Sequence, residues 1–242
     1  RRPELVLVCT KAQDAEAAIG ANRELIDGVT VVVVQNGLDG VDLAARLLPA
    51  SRCLGLLSII AANHTEPGAV HITAPATSYL GEGDGPVAAE TAEVAAVLSQ
   101  AVPVVAIPGF RGAQWTKLVV NMLNAVPAIV GRSVQDVVAD AALRRVVTAS
   151  MRECVRVGIA RGVRFGALQG LGDLRLRAFA AAPLAVGQVL PRLMARRMGD
   201  IPNLGSTQQS IRRGQATEID HLNGAVVREA GLAGIDAPVN RA

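Results

Sequence analysis

Short apolar runs alternate with helix-like segments along the first part of the chain. The runs LVLVCT from Leu5, VTVVVV from Val29 and the stretch Cys53–Ala61 have the length and apolar character of buried strands. Between them, residues 15–26 and 38–48 repeat apolar side chains at helical spacing. Strands that alternate with helices are typical of a parallel α/β sheet.

The pattern changes after a last predicted helix, Ala88–Gln100, and a last predicted strand, Val102–Ile107. Everything beyond Pro108 has helical periodicity and no convincing strand, in four predicted segments: Gly112–Gly131, Ser133–Gly162, Leu168–Met198 and Ser206–Gly234. We therefore predict an α/β domain over residues 1–110, followed by an all-helical domain over residues 111–242.

The α/β part is short for a nucleotide-binding sheet. Three or four strands make up only about half of a doubly wound fold, and no G-x-G-x-x-G loop follows the first strand. The nearest match, GEGDGP from Gly81, has the wrong spacing and carries Glu82 and Asp84, which would repel a pyrophosphate. We interpret it as a turn.

Composition and charge narrow the classes of function. Half of the residues are hydrophobic but only 2% are aromatic, and the net charge of +3 comes from scattered arginines. This pattern lacks the basic stripe and stacking partners of a nucleic-acid surface. No apolar run approaches membrane-spanning length, and the three widely spaced cysteines predict neither disulfides nor a metal site. We expect a cytoplasmic protein with no metal and no nucleic-acid or membrane partner.

The stretch WTKLVVNMLNA, from Trp115, places polar side chains in an apolar helical run. Lys117, Asn121 and Asn124 follow each other at i, i+4 and i+7, which predicts one shared helix face. Such a face would line a ligand site. Alternatively, the lysine would extend to the surface while the asparagines bond to a neighbouring helix.

Lysine is rare in this sequence, which favours the first alternative. Lys11 and Lys117 are the only lysines, and all other basic residues are arginine. A buried lysine can have its pKa lowered and can release a proton, whereas arginine stays charged. Lys117 is therefore our candidate proton donor.

Two further candidates lie at predicted strand ends. Lys11 follows the first strand and Asn36 the second, and ligands bind outside the carboxyl ends of parallel strands. Lys11 also fits an ordinary loop residue, and Asn36-Gly37 a simple turn. The sequence leaves these alternatives open.

A polar segment near the end, NLGSTQQSIRRGQATEIDHLNG from Asn203, adds Ser206 and Glu218. Ser206 and Gln209 have capping-box spacing, which predicts Ser206 as a helix N-cap, and Glu218 suits a first helical turn. Alternatively, both helix starts face the site that holds Lys117.

Taken in order, LVLVCTKA from Leu5, QNG from Gln35, W-x-K-L-x-x-N from Trp115, S-x7-G-x2-TEIDHLNG from Ser206 and the ending GLAGIDAPVNRA resemble the ketopantoate reductase family. The resemblance covers essentially the whole chain. It implies a Rossmann domain followed by an all-α domain, with the active site in the cleft between them. The implied reaction is the NADPH-dependent reduction of 2-dehydropantoate to pantoate, on the pathway to coenzyme A.

The resemblance also implies roles for individual residues. Lys117 would be the general acid, and Asn36, Asn121, Asn124 and Ser206 would contact the small-molecule 2-oxo acid. Lys11, Asn36, Ala62 and Glu218 would contact NADP. Residues 1–110 would be the C-terminal portion of the NADP-binding domain, and residues 111–242 the substrate and catalytic domain.

The sequence departs from the family pattern in several places. The glycine-rich loop is missing, so we expect a fragment. Ala125 stands where a second asparagine is common, Gln135 where another substrate asparagine is expected, and Ser210 where an aspartate is common. These changes leave two alternatives, a reductase of another 2-oxo acid and a non-catalytic binding homologue. The alanine-rich stretch Ala178–Ala182 suggests a homodimer formed through the helical domain.

Overall fold

In a computed structural model, the structure describes residues 3–199 and 201–242. The chain divides into two compact units, with the boundary between Arg111 and Gly112. Among the described residues, no helix combines the length and the apolar character needed to cross a membrane.

The first unit combines strands and helices. The strands are β1 (Leu5–Val8), β2 (Thr30–Val33), β3 (Cys53–Leu57), β4 (Ala61–Glu66), β5 (Ala69–Ala74), β6 (Ser78–Gly81) and β7 (Val104–Ala106); the helices are α1 (Ala15–Ile26), α2 (Gly40–Leu47) and α3 (Ala89–Leu98). Five strands form a sheet in the order β1-β2-β3-β6-β7. The β1-β2, β2-β3 and β6-β7 pairs are parallel, and the β3-β6 pair is antiparallel. A separate antiparallel hairpin consists of β4 and β5.

The predicted α/β class is confirmed, and burial on both faces of the sheet explains the valine runs. Val31 and Val33 face a core that includes Ile19 and Leu48, while Val32 lies in a second core with other strand residues and α3. The prediction of a third strand continuing to Ala61 was wrong. The strand ends at Leu57, and three residues connect it to the separate β4-β5 hairpin.

Phe110 is seated against two glycines of the sheet. Its side chain is 2% exposed, and a β-carbon at Gly55 or Gly81 would overlap Phe110 atoms. Because only glycine leaves room for the ring, Gly55 on β3 and Gly81 on β6 together fix the position of Phe110, where the next helix begins.

The second unit is helical, as predicted. In residues 112–199 and 201–242 the structure shows helices, turns and a single isolated bridge between Leu168 and Leu171. The helices are α4 (Phe110–Asn121), whose first two residues belong to the first unit, α5 (Ala125–Val130), α6 (Val134–Ala139), α7 (Ala141–Ala160), α8 (Asp173–Ala181), α9 (Leu184–Gly187), α10 (Val189–Arg197), α11 (Gly205–Arg212), α12 (Asn223–Leu232) and α13 (Pro238–Arg241).

The four predicted helical segments are each divided. Asp140 ends α6 and caps α7, because its carboxylate accepts hydrogen bonds from the N–H groups of Ala142 and Leu143 at 2.9 and 3.1 Å. Between α4 and α5 the cause is Pro127, which lacks the N–H that a continuous helix would need and whose ring would clash with the carbonyl of Leu123.

Candidate active site

Lys117 lies on α4 with its side chain almost wholly inside the second unit. It is 9% exposed, and its neighbours Leu118 and Val119 are 1% and 0% exposed. Helix α4 is therefore surrounded on most sides, and Lys117 is held where its charge is poorly hydrated.

Helix α4 is held in place by contacts between its residues and the segment 158–166. A β-carbon at Gly112 would overlap the carbonyl of Arg164, so the helix approaches that backbone closely. The hydroxyl of Thr116 donates at 2.7 Å to the carbonyl of Gly166. Trp115 is buried beside Gly158, where a β-carbon would lie 3.2 Å from the indole. These contacts leave Lys117 little freedom to move.

Burial lowers the pKa of Lys117 from 10.5 to about 8, and the carboxylate of Glu218 partly opposes this shift by favouring the charged form. The side chain is consequently a cation at neutral pH that can release its proton. That behaviour suits a general acid, and arginine would not provide it.

Glu218 approaches Lys117 from a different part of the chain. It is the residue before a 3₁₀ turn, Ile219–His221, and its carbonyl accepts hydrogen bonds from the N–H groups of His221 and Leu222 at 2.9 and 3.1 Å. The predicted helix start was therefore misplaced, because α12 begins only at Asn223. The turn is anchored by Leu222, which is 1% exposed.

Asn121 and Asn124 do not share one helix face. Asn121 is the last residue of α4, one turn beyond Lys117, whereas Asn124 lies outside α4 and immediately precedes α5. The prediction that Lys117 and Asn124 share a helix face was wrong, because α4 ends at Asn121, before Pro127. The Nδ2 atom of Asn121 is buried with no hydrogen-bond partner among the described residues.

Asn124 instead lies against the start of α11. A β-carbon at Gly205 would be 2.8 Å from the Asn124 Oδ1 atom, and Gly205 has a φ of +69°. Asn124 therefore lies close to Gly205, the residue before Ser206. Lys117 and Glu218 are brought together electrostatically in the same unit.

Ser206 is exposed and is the second residue of α11, so its predicted N-cap role was wrong. The side chain of Asn203 provides the hydrogen bond instead, accepting from the N–H of Gly205 at 2.8 Å. Because the helix starts earlier than expected, Ser206 and Gln209 do not form a capping box.

Gln208 is a buried residue that the sequence reasoning missed. It is 2% exposed, and both its Oε1 and Nε2 atoms lack a hydrogen-bond partner within the described part of the chain. Buried amides are normally paired. The available signal was the density of polar side chains in STQQS, but spacing alone did not show which of them would be buried.

In the first unit, Lys11 and Asn36 lie beyond the carboxyl ends of neighbouring parallel strands. The β1-β2 register pairs Val8 with Val33, so both chains leave the sheet at the same edge. The side chain of Gln35 ties them together, donating from Nε2 to the carbonyl of Thr10 at 2.9 Å. Ala62 is exposed on β4 of the separate hairpin, where it pairs with Ile72.

This edge has the chemistry needed for a dinucleotide. The Thr10 Oγ1 and Gln35 Oε1 atoms are buried and have no hydrogen-bond partner among the described residues. Lys11 adds a cation, and the carboxyl edge of parallel strands is the usual ligand-binding edge of such sheets. The residues present therefore fit a polar, negatively charged cofactor.

The described residues contain no group of three His, Cys, Asp or Glu side chains suited to a metal ion. Of the three free cysteines, Cys154 is buried, and burial raises the pKa of its thiol above the usual range. This chemistry points to the lysine and amide groups rather than to the thiols.

Two family models match the chain. The model described as "Ketopantoate reductase PanE/ApbA" matches residues 1–85, and the model for the C-terminal part of that family matches residues 109–242. A 2-dehydropantoate 2-reductase of Halobacterium salinarum is 30% identical over 242 residues, which cover 98% of this chain and 73% of the relative.

Solved structures share the fold. A ketopantoate reductase from Ralstonia eutropha superposes with a TM-score of 0.79 at 29% identity, covering 98% of this chain and 72% of the relative. A D-mandelate dehydrogenase bound to NADH and anilino(oxo)acetate has a TM-score of 0.79 at 19% identity, covering 99% and 73%. The two family models span most of the chain, and the Halobacterium salinarum enzyme is 30% identical to it. The chain therefore belongs to the ketopantoate reductase family.

Proposed function

We propose that the protein reduces 2-dehydropantoate to pantoate with NADPH, a step of pantothenate and coenzyme A biosynthesis. The observation that carries the proposal is Lys117, a lysine that is 9% exposed, has a pKa lowered to about 8 and interacts with Glu218. The similarity to the 2-dehydropantoate 2-reductase of Halobacterium salinarum supports this choice of reaction.

In this proposal Lys117 is the general acid. The reduction converts the C2 carbonyl into a secondary alcohol, so the oxygen develops negative charge and then needs a proton. The ammonium of Lys117 stabilises the developing alkoxide and transfers its proton to that oxygen. Solvent then reprotonates the neutral amine, with Glu218 favouring the charged form.

The substrate is held by amide and hydroxyl groups. Asn121 offers a buried Nδ2 group that has no partner among the described residues, Asn124 lies against the start of α11, and Ser206 is exposed on that helix. We propose that these three residues and Asn36 bind the carboxylate and hydroxyl groups of the acid. Holding them in fixed directions orients the carbonyl oxygen for protonation.

The cofactor is assigned to Lys11, Asn36, Ala62 and Glu218. When bound, reduced nicotinamide supplies the hydride that C2 accepts. Lys11 offers positive charge to a phosphate, and the carboxyl edge of β1 and β2 offers hydrogen-bonding groups. The fold alone does not select NADPH, because the D-mandelate dehydrogenase of the same fold binds NADH. The choice of NADPH therefore rests on the family resemblance.

Reduction of a different 2-oxo acid is the second candidate. It is favoured by Gln135, which stands where a substrate asparagine is expected but has its amide engaged with the backbone of Gly199, Ile201 and Asn203. Ala125 and Ser210 also replace expected polar groups. A non-catalytic role is less well supported, because Lys117 and Asn36 are both retained.

The decisive experiment follows NADPH and NADH oxidation by the full-length protein with 2-dehydropantoate and a panel of branched, aromatic and unsubstituted 2-oxo acids. We expect the highest kcat/KM with NADPH and 2-dehydropantoate. A preference for another acid would move the substrate and keep the mechanism. Absence of turnover across the panel would overturn the reductase proposal.

A Lys117→Arg variant tests the role of the proton. Arginine keeps the charge but holds its proton, so we expect kcat to fall by about 10²-fold or more, in the range typical for loss of a general acid. Near-normal turnover would show that Lys117 is an electrostatic anchor and not the proton donor.

A further inference from the structure

The carboxamide of Gln135 is committed to the backbone of a neighbouring segment. Its Nε2 atom donates to the carbonyls of Gly199 and Ile201 at 3.1 and 2.9 Å, and its Oε1 atom accepts from the N–H of Asn203 at 2.9 Å. The adjacent N–H of Val134 donates to the carbonyl of Asn203 at 2.8 Å. Both hydrogens of the Gln135 amide are therefore used within the protein.

The same segment leads directly into α11. Asn203, held by Gln135, accepts the N–H of Gly205 through its own side chain at 2.8 Å. On the other side of Gly205, the Asn124 Oδ1 atom lies within 2.8 Å of the place where a β-carbon would be. The residue before Ser206 is thus fixed from two sides, in a left-handed conformation that favours glycine.

We propose that Gln135 is a positioning residue, which sets the start of α11 and with it the Ser206 hydroxyl through Asn203 and Gly205. The proposal rests on the proposed function for its kinetic consequences. It assigns Gln135 no direct contact with the acid through its N–H groups, because both of them are bonded to the backbone.

The length of the glutamine side chain matters for this role. Asparagine is shorter by one C–C bond of about 1.5 Å, so from the same backbone position it would not reach the carbonyls of Gly199 and Ile201. A substrate-binding asparagine at this position would therefore not make the three side-chain bonds to the backbone of Gly199, Ile201 and Asn203. Gln135 thus uses its amide to hold the start of α11 and has no N–H group left to bind a ligand.

The test compares Gln135→Ala, Gln135→Asn and Gln135→Glu in the full-length protein, by hydrogen exchange of the first α11 amides and by steady-state kinetics. We expect Gln135→Ala to lose about tenfold in protection at Gly205 and Ser206, since each 1.4 kcal/mol of local stability is a factor of ten. We expect KM for the acid to rise about five- to tenfold, the scale of one neutral hydrogen bond, with kcat nearly unchanged.

The conservative variants sharpen this expectation. Gln135→Glu keeps the acceptor for Asn203 but loses both donors, so its loss should be intermediate, while Gln135→Asn should resemble Gln135→Ala. The basic limb of the pH profile should stay in place, because Lys117 is untouched. Asn203→Ala should reproduce the effects of Gln135→Ala, and the double variant should be no worse than either single one.

Arg132→Ala is the matched control. Arg132 lies three residues before Gln135 in the sequence, and its side chain contacts the carbonyl of Asp136 at 3.3 Å and the carboxylate of Asp140 at 3.5 Å. It should leave the α11 amides and KM unchanged.

A raised KM with unchanged α11 protection would overturn the positioning role in favour of direct substrate contact. Unchanged protection and unchanged KM would overturn it altogether. The exchange measurement needs no turnover, so it tests the positioning even if every 2-oxo acid fails as a substrate.

Discussion

Burial lowers the pKa of Lys117, and the proposed proton transfer depends on that lowered pKa. The desolvated ammonium is easier to deprotonate than an exposed one, with the pKa near 8 rather than 10.5. Glu218 opposes the shift and keeps the side chain charged at neutral pH. The pair would therefore meet both requirements of the proposed mechanism, a bound proton before the reaction and a proton that can leave during it.

The first prediction concerns the pH dependence of turnover. A general acid must be protonated, so kcat/KM, which reports the free enzyme, should be constant below the Lys117 pKa and should fall as the pH rises through about 8. Glu218→Gln removes the carboxylate that raises this pKa, so the basic limb should move to lower pH. Values of kcat/KM measured from pH 6 to 10 check both expectations. An unmoved limb in Glu218→Gln would argue against their coupling.

The second prediction concerns stability. The unfolded chain keeps the Lys117 proton up to 10.5 and the folded chain releases it near 8, so between these values the unfolded state binds more protons and stability rises with pH. Below pH 8 the cost of burying the charge is fully present. At about 1.4 kcal/mol per pKa unit, it amounts to about 3 kcal/mol.

Lys117→Met should therefore abolish turnover and raise the free energy of unfolding at pH 7 by about 1–3 kcal/mol. The gain should shrink as the pH rises above 8. Urea unfolding at pH 7 and pH 9.5 measures it, with Lys11→Met as the partly exposed control. A variant that is less stable than the parent at pH 7 would contradict the proposed burial cost.

Which polar residues would be buried was only partly predictable from the sequence. The rarity of lysine singled out Lys117, whose side chain is indeed buried with a lowered pKa. Its role as proton donor stays a prediction. Gln208 was missed, because the spacing of polar residues does not show which amide will be buried. Gln135 was noted only as a departure from the family pattern, because its bonds run to the backbone of residues more than sixty positions away. A sequence shows which amides exist but not which carbonyls will come within reach.

At the level of elements, the kinds of structure were predictable and their ends were not. Valine runs and helical spacing identified the sheet strands and the helical unit, because burial imposes those periods directly. The break between α4 and α5 follows from Pro127, a signal that was present but was outweighed by the apolar pattern around Asn121. The start of α11 depends on the Asn203 side chain and on a left-handed Gly205, which no local pattern specifies.

The third prediction tests the packing of Phe110 against the sheet. Gly55→Ala would drive a β-carbon into the ring of Phe110, which is buried and has no room to withdraw. We expect a loss of about 1–3 kcal/mol, the usual cost of overpacking. Denaturant unfolding of the full-length protein gives the value.

Gly20→Ala is the matched control for that substitution. Gly20 lies within α1 with nothing within 4 Å of its β-carbon position, so alanine should stabilise the helix by about 0.5–1 kcal/mol. Equal effects at the two glycines would show that close packing against Phe110 does not constrain the sheet.

For the whole molecule, two compact units divide the chemistry between them. The first offers a strand edge suited to a dinucleotide, and the second contains Lys117, Glu218 and the amides around α11. The order of these units along the chain followed from the change in pattern near Pro108. The missing glycine-rich loop did not prevent recognition of the family, because the motifs that carry the resemblance are distributed over both units.

The last prediction concerns assembly. The alanine-rich stretch is only partly available, since Phe179 and Ala180 are buried at 8% and 5% exposure. On the other side of α8, however, Ala178 and Ala181 are exposed one and two turns after Leu174, whose side chain is 82% exposed. A self-complementary apolar helix face of this kind is suited to a twofold interface between identical chains.

We therefore expect the full-length protein to sediment as a dimer at micromolar concentration. Leu174→Glu should shift it toward monomer, because a charge on the twofold face would be repeated by its partner. Leu232→Glu, which alters another exposed leucine (68%) on α12, serves as the control and should leave the dimer intact. A monomer at all concentrations would remove the dimer prediction, whereas a dimer insensitive to Leu174→Glu would place the interface on another face of the protein.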